Sequence, residues 1–263
     1  MGIVNLTDNS YFAESRVLSN SGTADPDKLI SRVSSMLDEG ADIIDLGACS
    51  TRPGSTPVGK EIEWKRLKPA LEILHDSFPK ATISIDTYWS EVIKKAYDLI
   101  GPIIVNDISA GEDDTKMLEA VGTRHLTYIA MHKRGTPQTM QSLTDYNNVT
   151  EDILDYFKAF ATKAEASGIT DWILDPGFGF AKTVDQNYTL LRDLGRFGRF
   201  GKPILVGMSR KSMIFKLFGI TPEESLPATQ VVHYKALCEG ASILRVHDVA
   251  EAARTIELYR RLG

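Results

Sequence analysis

This sequence carries almost none of the marks of an exported or membrane protein. Its 263 residues include two cysteines, Cys49 and Cys238, far apart and outside any CxxC or Cys/His spacing. That excludes a disulfide framework, a redox dithiol and a structural zinc site, and both read as reduced thiols of a cytoplasmic protein. No apolar run approaches the roughly 18 residues of a membrane span, and Met1-Gly-Ile-Val-Asn5 has neither the basic start nor the apolar core of an export signal. The chain therefore reads as soluble, unexported and mature as written. Positive charge is also scarce: 30 Lys and Arg against 35 Asp and Glu leave a formal net charge of -5, with no basic run. Neither nucleic acid nor a membrane surface is an expected partner, and an anionic ligand must be met by a few placed cations. No linker, low-complexity tract or composition shift divides the chain, so residues 1–263 read as a single domain. A Ser/His/Asp or Cys/His arrangement for covalent catalysis is missing too.

What recurs is a short β-branched run: Ile3-Val4, Ile43 to Leu46, Ile83 to Ile85, Ile103 to Val105, Leu126 to Met131, Trp172 to Leu174, Ile204 to Val206 and Ile243 to Val246. The runs are continuous more than alternating, as in parallel strands buried on both faces. Amphipathic segments lie between them. Leu29, Ile30, Val33, Met36 and Leu37 have helical spacing, with Asp25-Pro26 as a start and Gly40 as a stop. Trp64, Leu67, Leu71 and Leu74 form another, as do Ile153 to Ala164 before Gly168, and a last helix through Val249, Ala253 and Ile256 has Asp248 as a candidate cap. About eight strands alternating with about eight helices in roughly 250 residues predict an α/β fold, a single (β/α)8 TIM barrel, with a doubly wound sheet as its rival.

In such a barrel the residues just past each strand share one rim, where catalytic groups sit. Here they are Asn5, Thr51-Arg52, Asp86, Asn106-Asp107, Met131-His132, Asp175, Arg210-Lys211 and Arg245, His247 and Asp248. Helix capping or a solvated loop explains any one of them. As a set they place Asp86 and Asp175 partly inside the mouth, where a carboxylate needs a partner, as a ligand edge rich in donors would be. Arg52, Arg210, Lys211, Arg245 and His247 would converge as a phosphate site, or lie scattered as surface ion pairs. Ser50 to Ser55 is a turn-rich loop, and the glycines of Asp175 to Phe180 allow close backbone approach, with Phe178 and Phe180 able to flank a flat ring.

Seven stretches in order carry a family resemblance: Met1 to Thr7, Ser50-Thr-Arg-Pro-Gly54, Ile85-Asp-Thr87, Asn106-Asp-Ile108, Asp175 to Phe180, Ser209-Arg-Lys-Ser212 and Arg245-Val-His-Asp248. Together they resemble the dihydropteroate synthases of the pterin-binding barrel superfamily, over nearly the whole chain. That family joins 6-hydroxymethyl-7,8-dihydropterin pyrophosphate to p-aminobenzoate, giving 7,8-dihydropteroate and pyrophosphate in folate biosynthesis, and is the target of sulfonamides. The resemblance implies a pterin held by Asp86, Asn106, Ile108, Met131, Asp175, Lys211 and Arg245, and a pyrophosphate met by Asn5, Arg245 and His247. It implies Mg2+ as cofactor with Asn5 on the metal side, p-aminobenzoate near Thr51, Pro53, Phe180 and Ser212, and a homodimer. Lys211, Arg245, His247 and Arg52 are the expected catalytic group. The C–O bond to pyrophosphate would break largely before the amine attacks, with no covalent enzyme intermediate.

The chain departs from the family in its first loop, where Asn9 and Ala13 occupy usual carboxylate positions, with Asp8 and Glu14 one place away. Cys49 stands where Glu is usual and reads as a packing residue. His132 reads as structural, and His75, His125 and His233 as helix or surface residues. The chain starts at the first strand without a leader, a difference expected to touch stability more than chemistry. A pterin-dependent methyltransferase acting with a corrinoid protein would share Asp86, Asn106 and Asp175 without needing the Arg245/His247 pair. The same pattern is open to a non-catalytic pterin-binding barrel and to a synthase altered in sulfonamide response.

Overall fold

The structure, a computed structural model, describes residues 1–7, 24–49 and 58–262. Eight strands run through it: β1 (Gly2–Asn5), β2 (Ile43–Gly47), β3 (Thr82–Asp86), β4 (Ile104–Asp107), β5 (Thr127–Met131), β6 (Trp172–Asp175), β7 (Leu205–Val206) and β8 (Ile243–Leu244). β1 to β6 form a continuous parallel sheet in chain order, and β7 pairs parallel with β8. Two isolated parallel bridges, Leu174 to Ile204 and Gly2 to Val246, join the two pieces into a closed (β/α)8 barrel. The second seam is held by Ile3 N donating to Val246 O and Val246 N to Met1 O, both at 2.9 Å. Closure removes the doubly wound fold, whose sheet keeps two free edges.

The helices are α1 (Pro26–Asp38), α2 (Lys60–Ser77), α3 (Ser90–Ile100), α4 (Met117–Gly122), α5 (Val149–Ala166), α6 (Val184–Arg192), α7 (Ser212–Phe218), α8 (Leu226–Cys238) and α9 (Val249–Leu262). The described residues thus hold nine helices against the eight expected, because two, α7 and α8, follow β7. Asp25 caps α1 by accepting from Lys28 N at 3.3 Å, and Gly40 leaves it with φ +99°. A capping box, Thr183 with Gln186, starts α6. On α9 Val249 is buried and Ile256 packs half-buried against the core, as expected, while Ala252 and Thr255 are the other buried positions in place of Ala253. Thr255 Oγ1 donates to Gln230 Oε1 on α8 at 2.8 Å, which lets a polar residue lie in the helix–helix contact.

Strand residues whose side chains point out of the barrel, among them Val4, Leu46, Ile85, Val105, Tyr128 and Leu174, pack against the helices in the main core. Those pointing in form a smaller cluster, Ile129, Ile173 and Leu205 with Met1, Ile104 and Ile243. Both faces being apolar is why the strands read as unbroken runs. Among the described residues no helix is long and apolar enough to cross a membrane.

Candidate active site at the barrel mouth

Cross-strand register places Asn5 beside Gly47, Gly47 beside Asp86 and Asp86 beside Asn106, with Met131 beside Asp175 further round. These are the last residues of their strands or the next one in, so the parallel sheet delivers them to one rim. Two glycines keep the rim open. A Cβ on Gly47 would lie 3.6 Å from Asp86 Cβ and 3.9 Å from Asn5 Oδ1, and one on Gly207 would lie 3.7 Å from Lys211 Nζ and 4.0 Å from Arg245 Cβ. A side chain at either position would lie against Asn5 and Asp86 or against Lys211 and Arg245.

Asp86, Asn106, Asp175, Ile108 and Met131 are all buried. Burial pushes the Asp86 carboxyl up to about 7; Arg245 opposes the rise, and Asp45 and Asp107 add to it. Burial also raises Asp175, with Lys211 and the Gly177 N–H acting against it. Asp175 Oδ1 accepts from Gly177 N at 2.8 Å. Both carboxyls are held in an apolar setting that a donor-rich ligand edge relieves. Lys211 Nζ donates to Phe178 O at 2.7 Å and stands 4.8 Å from the centre of the Phe180 ring. Burial lowers its pKa to about 8. Phe180 and Ser212 are half-buried at this side of the mouth. Phe178 differs from expectation: its ring is fully buried in the main core, and of the two rings only Phe180 stands half-buried beside Lys211.

Arg245 spans two carboxylates. Its Nε donates to Asp45 Oδ2 at 2.7 Å, and its Nη2 lies 2.6 Å from Asp45 Oδ2 and 2.7 Å from Asp86 Oδ2. Burial works against its charge, but Asp45 and Asp86 outweigh that and hold it as a cation. His247 sits beside it with Nδ1 and the backbone N each 3.2 Å from Ser209 Oγ. Burial, then Arg245, lowers its pKa to about 3. It adds no charge to the ligand-free mouth.

Arg210 does not join this cluster. Its guanidinium forms a two-point pair with Asp248 at 2.8 and 2.9 Å and donates to Pro222 O and Glu223 O at 3.0 and 2.7 Å. Those bonds take its donors into a buried clamp behind the mouth, and they occupy the Asp248 carboxylate expected to cap α9. Thr51, Arg52 and Pro53, and the first-loop positions Asp8, Asn9, Ala13 and Glu14, lie outside the described residues.

Two further groups, Asp45 and Lys182, went unseen in the sequence, and one rim residue that was expected, Asp107, turns elsewhere. Asp45 lies inside β2, fully buried under the mouth. Lys182 is buried behind the β6 loop, where Nζ donates to Gly177 O at 2.8 Å and Phe180 O at 3.0 Å and lies 3.2 Å from His132 Nδ1. Burial lowers its pKa to about 7. That contact bears out the structural reading of His132. Asp107 faces away from the mouth, accepting from Ser109, Gly111 N and Tyr128 Oη. His233 is on α8 but wholly buried, while His75 and His125 are exposed. Cys49 is buried and burial raises its thiol pKa, as suits a packing residue.

Among the described residues no group of three or more His, Cys, Asp or Glu side chains is placed to hold a metal ion. The mouth offers carboxamide oxygens instead, a donor set that suits a hard cation held mostly by ligand phosphates and water.

The family model of pterin binding enzymes matches residues 1–247. The chain is 39% identical to the dihydropteroate synthase of Escherichia coli strain K12 over 265 aligned positions, covering 98% of this chain and 90% of that protein. A crystal structure of the Yersinia pestis dihydropteroate synthase with a sulfonamide drug complex superposes with a TM-score of 0.92 at 33% identity, covering 99% of this chain and 92% of that one. The Clostridium difficile dihydropteroate synthase, crystallised in the presence of pteroic acid, gives 0.88 at 33% identity, covering 99% and 95%.

Proposed function

The chain belongs to the pterin-binding enzyme family, its relatives the dihydropteroate synthases, and we propose that its barrel mouth condenses 6-hydroxymethyl-7,8-dihydropterin pyrophosphate with p-aminobenzoate, releasing 7,8-dihydropteroate and pyrophosphate. The observation that carries the reading is one rim with two halves. Asp86, Asn106 and Asp175 present acceptors in a dry setting, and Lys211 and Arg245 supply charge beside them. The first half suits the aminopyrimidinone edge of a pterin, with Ile108 and Met131 as apolar wall. Pteroic acid, the ligand named for the Clostridium relative, contains both the pterin and the p-aminobenzoate parts.

Catalysis in this reading is electrostatic. The pterin-CH2–O bond to pyrophosphate breaks first, leaving a methylene cation conjugated with the ring, and the ionised Asp86 and Asp175 stabilise that positive charge. Arg245 keeps its Asp45 contact and turns from Asp86 to the departing pyrophosphate, which Asn5 and His247 also hydrogen-bond. Lys211 donates to ring acceptors. Mg2+ bound with the pyrophosphate would offset its negative charge, with Asn5 as the protein ligand on that side. The amine of p-aminobenzoate, ordered by Thr51, Pro53, Phe180 and Ser212 with Arg52 in the catalytic group, then attacks the cation, and the proton it loses as the C–N bond forms passes to the released pyrophosphate or to water. A sulfonamide, as a mimic of p-aminobenzoate, competes for this side of the mouth.

Residues 1–263 form one functional domain in this reading. The exposed apolar side chains Leu217 and Phe218 on α7, Val231 on α8, and Leu258 and Leu262 on α9 support a homodimer through the late helices. The absence of a disulfide at Cys49 and Cys238, both among the described residues, supports a cytoplasmic location. The test is pyrophosphate release by the purified protein given dihydropterin pyrophosphate, p-aminobenzoate and Mg2+, omitting each in turn. Release that needs all three and yields dihydropteroate is the expected result; tight pterin binding without turnover would leave a binding protein.

A further inference from the structure

Below the mouth, the inward side chains of the barrel are aliphatic on six strands: Ile3, Ile104, Ile129, Ile173, Leu205 and Ile243. The exceptions are adjacent. Asp45 pairs in register with Ser84, and both are fully buried. A carboxylate in an apolar layer is costly unless its lone pairs are filled. Asp45 fills them from three sides. Ser84 Oγ donates to Oδ1 at 2.6 Å, Arg245 Nε to Oδ2 at 2.7 Å, and Asn106 Nδ2 to the same carboxylate at 3.2 and 3.4 Å.

The contact with Asn106 has a chemical consequence. An ionised carboxylate only accepts, so Asn106 can face it only with its NH2 group, and its carbonyl oxygen must then turn up into the mouth. A carboxamide with no such partner can present either end to a ligand. We infer that Asp45 is a positioning residue that sets the polarity of Asn106, making the mouth select a ring edge that donates a hydrogen bond there, while it anchors Arg245 through Nε. This inference rests on the reading of the mouth as a pterin site. Asp45 touches no ligand in it; it decides which atom of Asn106 does.

Transposing the two groups tests this. In Asp45→Asn, the new amide accepts from Arg245 with its oxygen and offers its own NH2 upward, so Asn106 inverts and meets a donor edge with a donor. Pterin affinity is expected to fall on the order of 10- to 100-fold, the loss typical of a buried polar group left mispaired. Adding Asn106→Asp restores a donor below and an acceptor above, and conserves the charge of the pocket. The double variant is expected to recover to within about threefold of wild type, since the two residues are coupled. A purely structural role for Asp45 would leave that loss unrescued. Wild-type affinity in Asp45→Asn, or a double variant no better than the single one, would overturn the inference.

Should the single variant not fold, the wild-type protein carries the test. Its Asn106 side-chain amide signal, assigned by its disappearance in Asn106→Asp, should show one Nδ2 proton protected from exchange, both before and after pterin is added. Rapid exchange of both protons would overturn the inference. Failure of the wild-type protein to bind any pterin would instead sink the functional reading, and the amide signal would still report the orientation.

Discussion

Asp86 and Lys211 set opposite limits on ligand binding. Asp86, pushed up to about 7 by burial, accepts best from a donor edge when ionised, while Lys211, lowered to about 8 by burial, donates most strongly to ring acceptors when charged. Acid protonates the first and alkali discharges the second, so pterin affinity is expected to rise through about pH 7 and fall above about 8. Calorimetric titration across both values, corrected for the ligand's own ionisation, checks this; a flat profile would mean that neither group contacts the ligand. Arg210 and Arg245, both at the ends of barrel strands, separate in the same terms. Arg210 and Asp248 are a buried pair with side chains 7% and 11% exposed, so Arg210→Ala strands a carboxylate and should cost about 3–5 kcal/mol of stability. Pyrophosphate affinity, measured below the melting temperature, should stay at the wild-type value in Arg210→Ala and collapse in Arg245→Ala. The sequence could not tell the two arginines apart, because what distinguishes them is the company each keeps across the fold. Asp86, Asn106, Asp175, Lys211, Arg245 and His247 were legible because they stand where strands stop. Asp45 was not, since it lies within an apolar run; a single charge embedded in such a run was the signal available. Lys182 left no signal, its burial depending on a loop packing over it.

Among the elements, α2 carries a feature that its helical pattern does not announce. Glu63 is fully buried on it, with no hydrogen bond of ordinary geometry to either carboxyl oxygen among the described residues; the nearby Thr87 hydroxyl only partly offsets the burial. Burial pushes its pKa from 4.5 up to about 8. Unfolded, the group ionises near 4.5; folded, it keeps its proton until about 8. Its contribution to stability is therefore present below about pH 4.5 and lost as pH rises toward 8. Glu63→Gln, of equal size and never charged, should be more stable than wild type by about 1–3 kcal/mol at about pH 8, with the gap closing at about pH 5. Urea unfolding at the two pH values decides it, and an unchanged difference would place the pKa of Glu63 near that of an ordinary carboxyl. The helices themselves were largely readable. α1, α2 and α5 follow their apolar spacing, whereas α9 keeps Val249 and Ile256 inward but buries Thr255 as well, because its hydroxyl is satisfied on α8. Two helices after β7 escaped the count, since α8 has apolar residues around most of its circumference and no single stripe to mark it.

At the scale of the molecule, the eight strands were legible because each is buried on both faces and reads as an uninterrupted run. Closure was not, because β7 and β8 are two residues each and their attachment to the other six depends on isolated bridges that no sequence pattern encodes. That construction divides the mouth by cohesion. Asp86, Asn106 and Asp175 stand on the continuous six-strand piece, whereas Lys211, Arg245 and His247 stand on or just beyond the pair joined by two narrow seams. Local opening frees such a lightly sewn segment first, so backbone amides of β7 and β8 should exchange with deuterium faster than those of β2 to β5 in the ligand-free protein. A substrate held as proposed, its ring mainly by Asp86, Asn106 and Asp175 of the six-strand piece and its phosphates mainly by Arg245 and His247 of the other, with Lys211 and Asn5 each reaching across, then acts as a rivet over the seams. It should slow exchange in β7 and β8 far more than in the rest of the barrel, while pterin without its phosphates, fastened mainly to one plate, should tighten them less. The molecule that the enzyme takes apart is, until the bond breaks, the part that fastens the enzyme together.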